Sequence, residues 1–153
     1  QPATTLRAGA VVLLGLLRDR GYLHWGLELN PVMAAQARDA GHAVLEGSLE
    51  DEAPPAGLPS PFSLVLMNHV IEHLRRPDLA LRRIHGWLRP GGSLLLETPM
   101  SPDYRNIDHL YYFSAAALEL LLTATGFTPV AWMDYVDDNY GHHNIACRAV
   151  RGA

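Results

Sequence analysis

Lysine is absent from this chain: all 12 basic residues are arginine. A P-loop, a Schiff-base lysine and a Lys–Glu kinase pair are therefore excluded. Cysteine occurs once, as Cys147, so neither an internal disulfide nor a Cys-only zinc site can form. Positive charge is in short supply. The net charge is −4 and the sequence pI about 6.0, which disfavours a nucleic-acid partner, because phosphate contacts need a basic face. Long apolar runs are missing too. The longest, from Ala8 to Leu17, falls far short of the roughly 20 residues of a membrane span. It is followed by Arg18-Asp19-Arg20-Gly21 rather than a small-residue cleavage site, so a cytoplasmic location is expected over secretion.

What is present suits one globular domain over residues 1–153, with 48% hydrophobic and 18% charged residues. Short apolar runs alternate with helical periodicity, the pattern of an α/β fold. A helix is expected from Val11 to Arg20, closed by Gly21, and a strand from Tyr22 to Leu29. Asn30 and Pro31 supply an N-cap and an N1 proline for a helix reaching Ala40, closed by Gly41. Ala43 to Glu46 reads as a short strand, and an acid- and proline-rich loop covers Gly47 to Pro61. Phe62 to Met67 is apolar on both faces and so a buried strand. Pro77 to Leu88 reads as a helix with Leu79, Leu81, Ile84 and Leu88 inward. A turn at Arg89-Pro90-Gly91-Gly92 leads to a buried strand, Ser93 to Thr98. Ser114 caps a helix to about Thr125, ended by Gly126, and Thr128–Tyr135 pairs with Asn144–Val150.

Three stretches taken together resemble the class I S-adenosylmethionine (SAM) dependent methyltransferases, most nearly the small-molecule branch that includes ubiquinone-biosynthesis O-methyltransferases. They are GLELNPVMAAQAR at 26–38, FSLVLMNHVIEHLRRPDLALRRIHGWLRPGGSLLLETP at 62–99 and DHLYYFSAAALELLLTATGF at 108–127. The resemblance implies a Rossmann-like, doubly wound, mostly parallel sheet with a C-terminal antiparallel strand, and a ligand crevice outside the carboxyl ends of the strands. It implies that Glu28, followed by Leu29, receives the ribose hydroxyls of SAM. The competing expectation is that Glu28 merely caps the helix beginning at Asn30. Ser48 stands where the family usually has an acid facing the adenine amino group, and Leu49 would supply a backbone N–H and an apolar wall. Asn68 and His69 would line the sulfonium end and the acceptor pocket.

Methyl transfer of this kind is an in-line displacement that depends chiefly on alignment. An acceptor that still carries its proton needs a base, and His69, His73 and His109 are the catalytic candidates. His73 has an equally simple alternative, a hydrogen bond to a neighbouring loop. His69 to His73 also spells H-x-x-E-H, a zinc-peptidase pattern, but Arg75-Arg76-Pro77 interrupts the helix that this pattern needs. Some related methyltransferases bind a divalent ion through an E-x-x-E-H run and a later His. Here His69 replaces the first acid while Glu72, His73 and His109 match, which would move preference from Mg²⁺ toward Zn²⁺ or Fe²⁺. A divalent metal is an option left open, not the favoured expectation. Asp134, Asp137, Asp138, His142 and His143 read as a solvated turn, the arginines from Arg75 to Arg89 as a solvated face, and Cys147 as an inert buried thiol.

The family's G-x-G-x-G loop has a weak counterpart. It should fall at Leu6-Arg7-Ala8-Gly9-Ala10, where Gly9 is the only glycine and is out of phase. The strand before it would be QPATT, a polar and proline-bearing segment expected to make a poor central strand. The expectation is that sequence before Val11 is truncated or foreign to the domain. Two functions follow: an active methyltransferase on a small-molecule acceptor, or a methyltransferase-like binding domain that has lost SAM.

Overall fold

The buried apolar runs Phe62–Met67 and Ser93–Thr98 lie side by side within the sheet. The computed structural model describes residues 2–5, 11–51, 53, 55–100, 107–136 and 141–152, with backbone alone at 2–5 and 11. The strands are β1 (Pro2–Thr5), β2 (Leu23–Glu28), β3 (Val44–Glu46), β4 (Phe62–Asn68), β5 (Leu88–Pro99), β6 (Phe127–Val136) and β7 (His143–Arg151). They form one sheet in the order β3-β2-β1-β4-β5-β7-β6. β1 to β5 run parallel, while β7 is antiparallel to both β5 and β6. This is the Rossmann-like class expected from the sequence.

Helices α1 (Val11–Asp19), α2 (Pro31–Asp39), α3 (Pro77–Trp87) and α4 (Ala115–Ala124) complete the frame. Two apolar clusters show how they are shared out. Leu14, Ala34, Ala37 and Val44 join α1 and α2 to the β2–β3 edge. A larger cluster joins Leu81, Ile84, Leu118 and Leu122 of α3 and α4 to Val65, Met67, Leu94 and Leu96 of the central strands. The side chains of Val65 and Leu94 are fully buried, as are those of Leu118 and Leu122. At about 25 cal/mol per Å² of apolar surface removed from water, each such leucine stabilises the fold by roughly 2 kcal/mol.

Local signals account for the element ends. The Asn30 side chain accepts from Val32 N at 2.9 Å and Met33 N at 3.4 Å, and Pro31 loses no helical bond at the first position. Ser114 Oγ accepts from Ala117 N at 3.2 Å and starts α4. Gly126 ends it at φ +94°, and a Cβ there would lie 2.9 Å from His85 Nε2, so glycine is required twice over.

Three expectations need correction. The PATT segment is a central strand: β1 lies between β2 and β4 and pairs with both. Its proline occupies the first strand position, where a missing N–H costs the ladder least, and both neighbours supply pairing that side-chain polarity cannot veto. Leu79 is 41% exposed, and the inward face of α3 is Ala80, Leu81, Ile84 and Trp87. Arg89 to Gly92 is not a separate turn. It belongs to β5, whose pairing with β4 shifts register between Phe62 and Leu64, with Gly91 at φ +71°.

Candidate active site

The carboxyl ends of β2, β3 and β4 open onto one crevice of about 500 Å³. Its lining includes Glu28, Leu29, Ser48, Leu49, His69 and His73. Strand parity and short connections bring them together: Glu28 ends β2, Gly47–Leu49 follow β3, and His69 follows β4. Six of the residues expected at the site thus meet in one place. Asn68 does not join them. It lines a separate apolar cavity of about 360 Å³ beside Leu13, Leu66, Leu95 and Met133. Gly9 lies outside the described residues.

Glu28 does part of what each expectation asked. Its Oε1 accepts from Asn30 N at 2.8 Å, which braces the turn into α2, while the carboxylate also lines the crevice. The following turn is self-bonded. Ser48 Oγ accepts from Glu50 N at 3.0 Å, and Ser48 N donates to Asp51 Oδ2 at 2.7 Å. Leu49 is buried beneath it.

His69 has φ +48°, a left-handed conformation uncommon for a non-glycine residue. The backbone bend aims its ring between two acids: Nδ1 lies 3.2 Å from Glu72 Oε1 and Nε2 lies 3.2 Å from Glu97 Oε1. Hydrogen bonding to Glu72, then to Glu97, raises the imidazole pKa to about 9 against opposing burial. The ring is therefore a cation at neutral pH and donates from both nitrogens. Glu97 is held below its ordinary range, first by His69 and also by hydrogen bonds from Tyr135 and Asn68. The Tyr135 hydroxyl donates to Glu97 Oε1 at 2.6 Å.

Glu72 is fully buried on the 3₁₀ turn Ile71–His73. Thr98 Oγ1 donates to its Oε2 at 3.1 Å. His73 makes the loop hydrogen bond expected as its simpler role, with Nδ1 3.0 Å from the Asp108 carbonyl oxygen. His109 packs edge-on against His73, ring centroids 4.8 Å apart.

Glu97, Tyr135, Thr98 and Asp108 are members of this site that sequence reasoning passed over. Glu97 was within reach of it, since an acid closing the buried strand SLLLET is placed like Glu28 at the end of β2. Tyr135 was not, because only the antiparallel return through β7 brings β6 near it.

Residues 8–131 match a family model described as a methyltransferase domain. The chain belongs to this methyltransferase family. Its fold is that of the class I, SAM-dependent members. A tRNA U34 carboxymethyltransferase of Trichlorobacter lovleyi is 31% identical over 125 residues, 74% of this chain and 38% of that protein. The corresponding protein of Citrifermentans bemidjiense is 32% identical over 115 residues, 67% of this chain and 35% of that protein. The methyltransferase domain described here thus spans less than two fifths of the length of these curated relatives. Among solved structures, the Burkholderia thailandensis 1,6-didemethyltoxoflavin-N1-methyltransferase, with 1,6-didemethyltoxoflavin and S-adenosylhomocysteine bound, superposes with a TM-score of 0.78 at 22% identity. That match covers 99% of this chain and 71% of the other. A methyltransferase of Haloferax volcanii in complex with its Trm112 activator gives 0.83 at 15% identity, covering 99% and 82%. These two likenesses concern the fold. No helix among the described residues of the domain is long and apolar enough to cross a membrane.

Proposed function

We propose that this domain binds SAM in the 500 Å³ crevice and transfers its methyl group to a small-molecule acceptor in the cytoplasm. One observation carries the proposal: Glu28 and the His69–His73 corner, 41 positions apart at their nearest, line the same crevice. Its size suits a nucleoside cofactor. The donor set fits as well. A strand-end carboxylate at Glu28 accepts vicinal hydroxyls, and buried Leu49 offers an apolar wall for a purine face. When bound, SAM supplies an electrophilic methyl group on a sulfonium.

The protein's part is to align and dehydrate. Fixing donor and acceptor in line contributes on the order of 7–11 kcal/mol. Glu28, Leu29, Ser48 and Leu49 hold the nucleoside. His69, locked between Glu72 and Glu97, is a positioning residue that fixes the corner, with Asn68 joined to it through Glu97. His73 and His109 are the groups left to meet an acceptor proton. His73 Nδ1–H donates a hydrogen bond to the Asp108 carbonyl, and in the neutral ring this leaves the lone pair on Nε2.

A nucleic-acid acceptor is the second reading, supported by the tRNA activity in the names of the two curated relatives. Three of the five arginines around α3 speak for the first. Arg76 is paired with Asp78 at 2.9 Å, Arg82 donates to the Ala124 carbonyl, and Arg83 donates to the Leu49 carbonyl. Side chains so engaged are poor phosphate ligands. Calorimetric titration with SAM tests the core of the proposal. Heat at micromolar SAM supports it, and silence at millimolar SAM leaves the binding-domain alternative. Labelled-methyl transfer to small hydroxylated and amino compounds, against transfer to bulk tRNA, then separates the acceptors.

A further inference from the structure

We propose that the apolar cavity of about 360 Å³, on the face of the sheet away from α3 and α4, binds a small, largely apolar carboxylate, with Arg148 as its anion-binding group and Asn68 at its far end. Central strands of a parallel sheet are normally covered on both faces, and β5 has a neighbour on each side. Yet Leu95 in its middle is 39% exposed. Leu94 and Leu96 pack into the cluster with α3 and α4, so Leu95 faces the other way. Pairing sets its surroundings as two rows across β4, β5, β7 and β6. One row is Asn68, Glu97, Ala146 and Met133, and the next is Leu66, Leu95, Arg148 and Ala131. The two alanines leave the hollow, and Leu13 of α1 walls it.

Charge selects the occupant. Glu97 is the diagonal neighbour of Arg148 across the β5–β7 pair, within reach of so long a side chain. Its carboxylate is instead taken by His69 Nε2 at 3.2 Å, by the Tyr135 hydroxyl at 2.6 Å and by the Asn68 side chain. Arg148 is exposed, and no ion pair or side-chain hydrogen bond joins it to any of the described residues. A guanidinium in an apolar hollow favours a planar anion, to which it donates two parallel hydrogen bonds. Covering it with carbon alone would strand its charge, and a second copy of this face would bring a further unpaired Arg148 to it. At the other end a carboxylate only accepts, so Asn68 gives Glu97 its amide N–H and keeps its carbonyl oxygen for a hydroxyl or amine. Arg148 and Asn68 stand two strands and two residues apart, about 12 Å between their Cα positions. That span suits a two-ring aromatic acid carrying a hydroxyl opposite its carboxylate.

Asn68 directly precedes His69, so the hollow meets the crevice at the end of β4. As the acceptor's site it deepens the proposed function and rests on it, but binding of the acid needs no SAM, so the two readings fail separately. The probe is 6-hydroxy-2-naphthoate, titrated calorimetrically into the protein alone, with 2-naphthol as the ligand lacking the anion. One equivalent of the acid per chain is expected. Arg148→Gln should weaken it at least about tenfold, the loss of a hydrogen bond to a charged group. The same variant should leave the weaker binding of 2-naphthol within about twofold of wild type. Ala146→Phe fills the hollow and should weaken both ligands, and Ala131→Phe serves if that variant does not fold. Circular dichroism of Arg148→Gln should match wild type, because the side chain it alters is exposed. Heat with the acid but none with SAM would retire methyl transfer and leave this site standing. The proposal is overturned by absence of saturable binding, or by equal affinity of the acid for wild type and folded Arg148→Gln. It is equally overturned if sedimentation shows a dimer that Ala146→Phe dissociates, since the face would then be an interface between copies.

Discussion

Replacing Glu28 by Gln isolates the charge of the strand-end carboxylate from its bracing role. In the wild type one oxygen accepts from Asn30 N at 2.8 Å, and a glutamine carbonyl can keep that bond. The cap of α2 by Asn30 is untouched, so the thermal midpoint should stay at the wild-type value. What is lost is the second anionic acceptor, the one that would meet a ribose hydroxyl. Hydrogen bonds to a charged group contribute about 1.5–3 kcal/mol. The dissociation constant for SAM should therefore rise about 10- to 150-fold. Calorimetry at fixed ionic strength, with S-adenosylhomocysteine as a second ligand, measures it directly. Both ligands should weaken alike, because they share the ribose. An affinity within about twofold of wild type, with the fold intact, would remove Glu28 from the cofactor site.

Three other outcomes follow from particular contacts. Ser114→Ala deletes the N-cap bond to Ala117 N and should cost about 0.5–2 kcal/mol in urea unfolding. His42 is buried, and burial, then His24, lowers its pKa below the ordinary 6.5. The unfolded chain therefore binds the extra proton first, so stability is full above 6.5 and falls as pH drops below it. The difference in thermal midpoint between wild type and His42→Gln isolates this group, and it should shift against the wild type as pH drops from about 7.5 to 5.5. The Cys147 thiol is 2% exposed, and burial raises its pKa to about 11. Iodoacetamide should leave it unmodified in native protein at mildly alkaline pH and label it fully in urea.

The helices were legible because their ends carry local chemistry. Asn30-Pro31 and Ser114 announce starts, and Gly21, Gly41 and Gly126 announce stops at positive φ. The central strand was not legible in PATT, since its pairing with β2 and β4 is a property of the neighbours and not of the segment. Leu79 misled because helical spacing does not say which of two adjacent stripes meets the sheet. In the site, Glu28, Ser48, Leu49, His69 and His73 could be listed from strand ends alone. The partners that define their states could not. The ring of His69 is fixed by Glu97, 28 residues away, and Glu97 is fixed in turn by Tyr135, 38 residues beyond it. Asn68, expected beside His69, lines the separate cavity with Leu66 and Met67 and meets the His69 corner through Glu97.

A crystal structure of the domain soaked with S-adenosylhomocysteine tests the central claim most directly. The ribose hydroxyls are expected within hydrogen-bond distance of Glu28, with the adenine against Leu49 and the sulfur toward the His69–His73 corner. Density in the apolar cavity beside Leu66 and Leu95, or none at saturating ligand, would contradict the account.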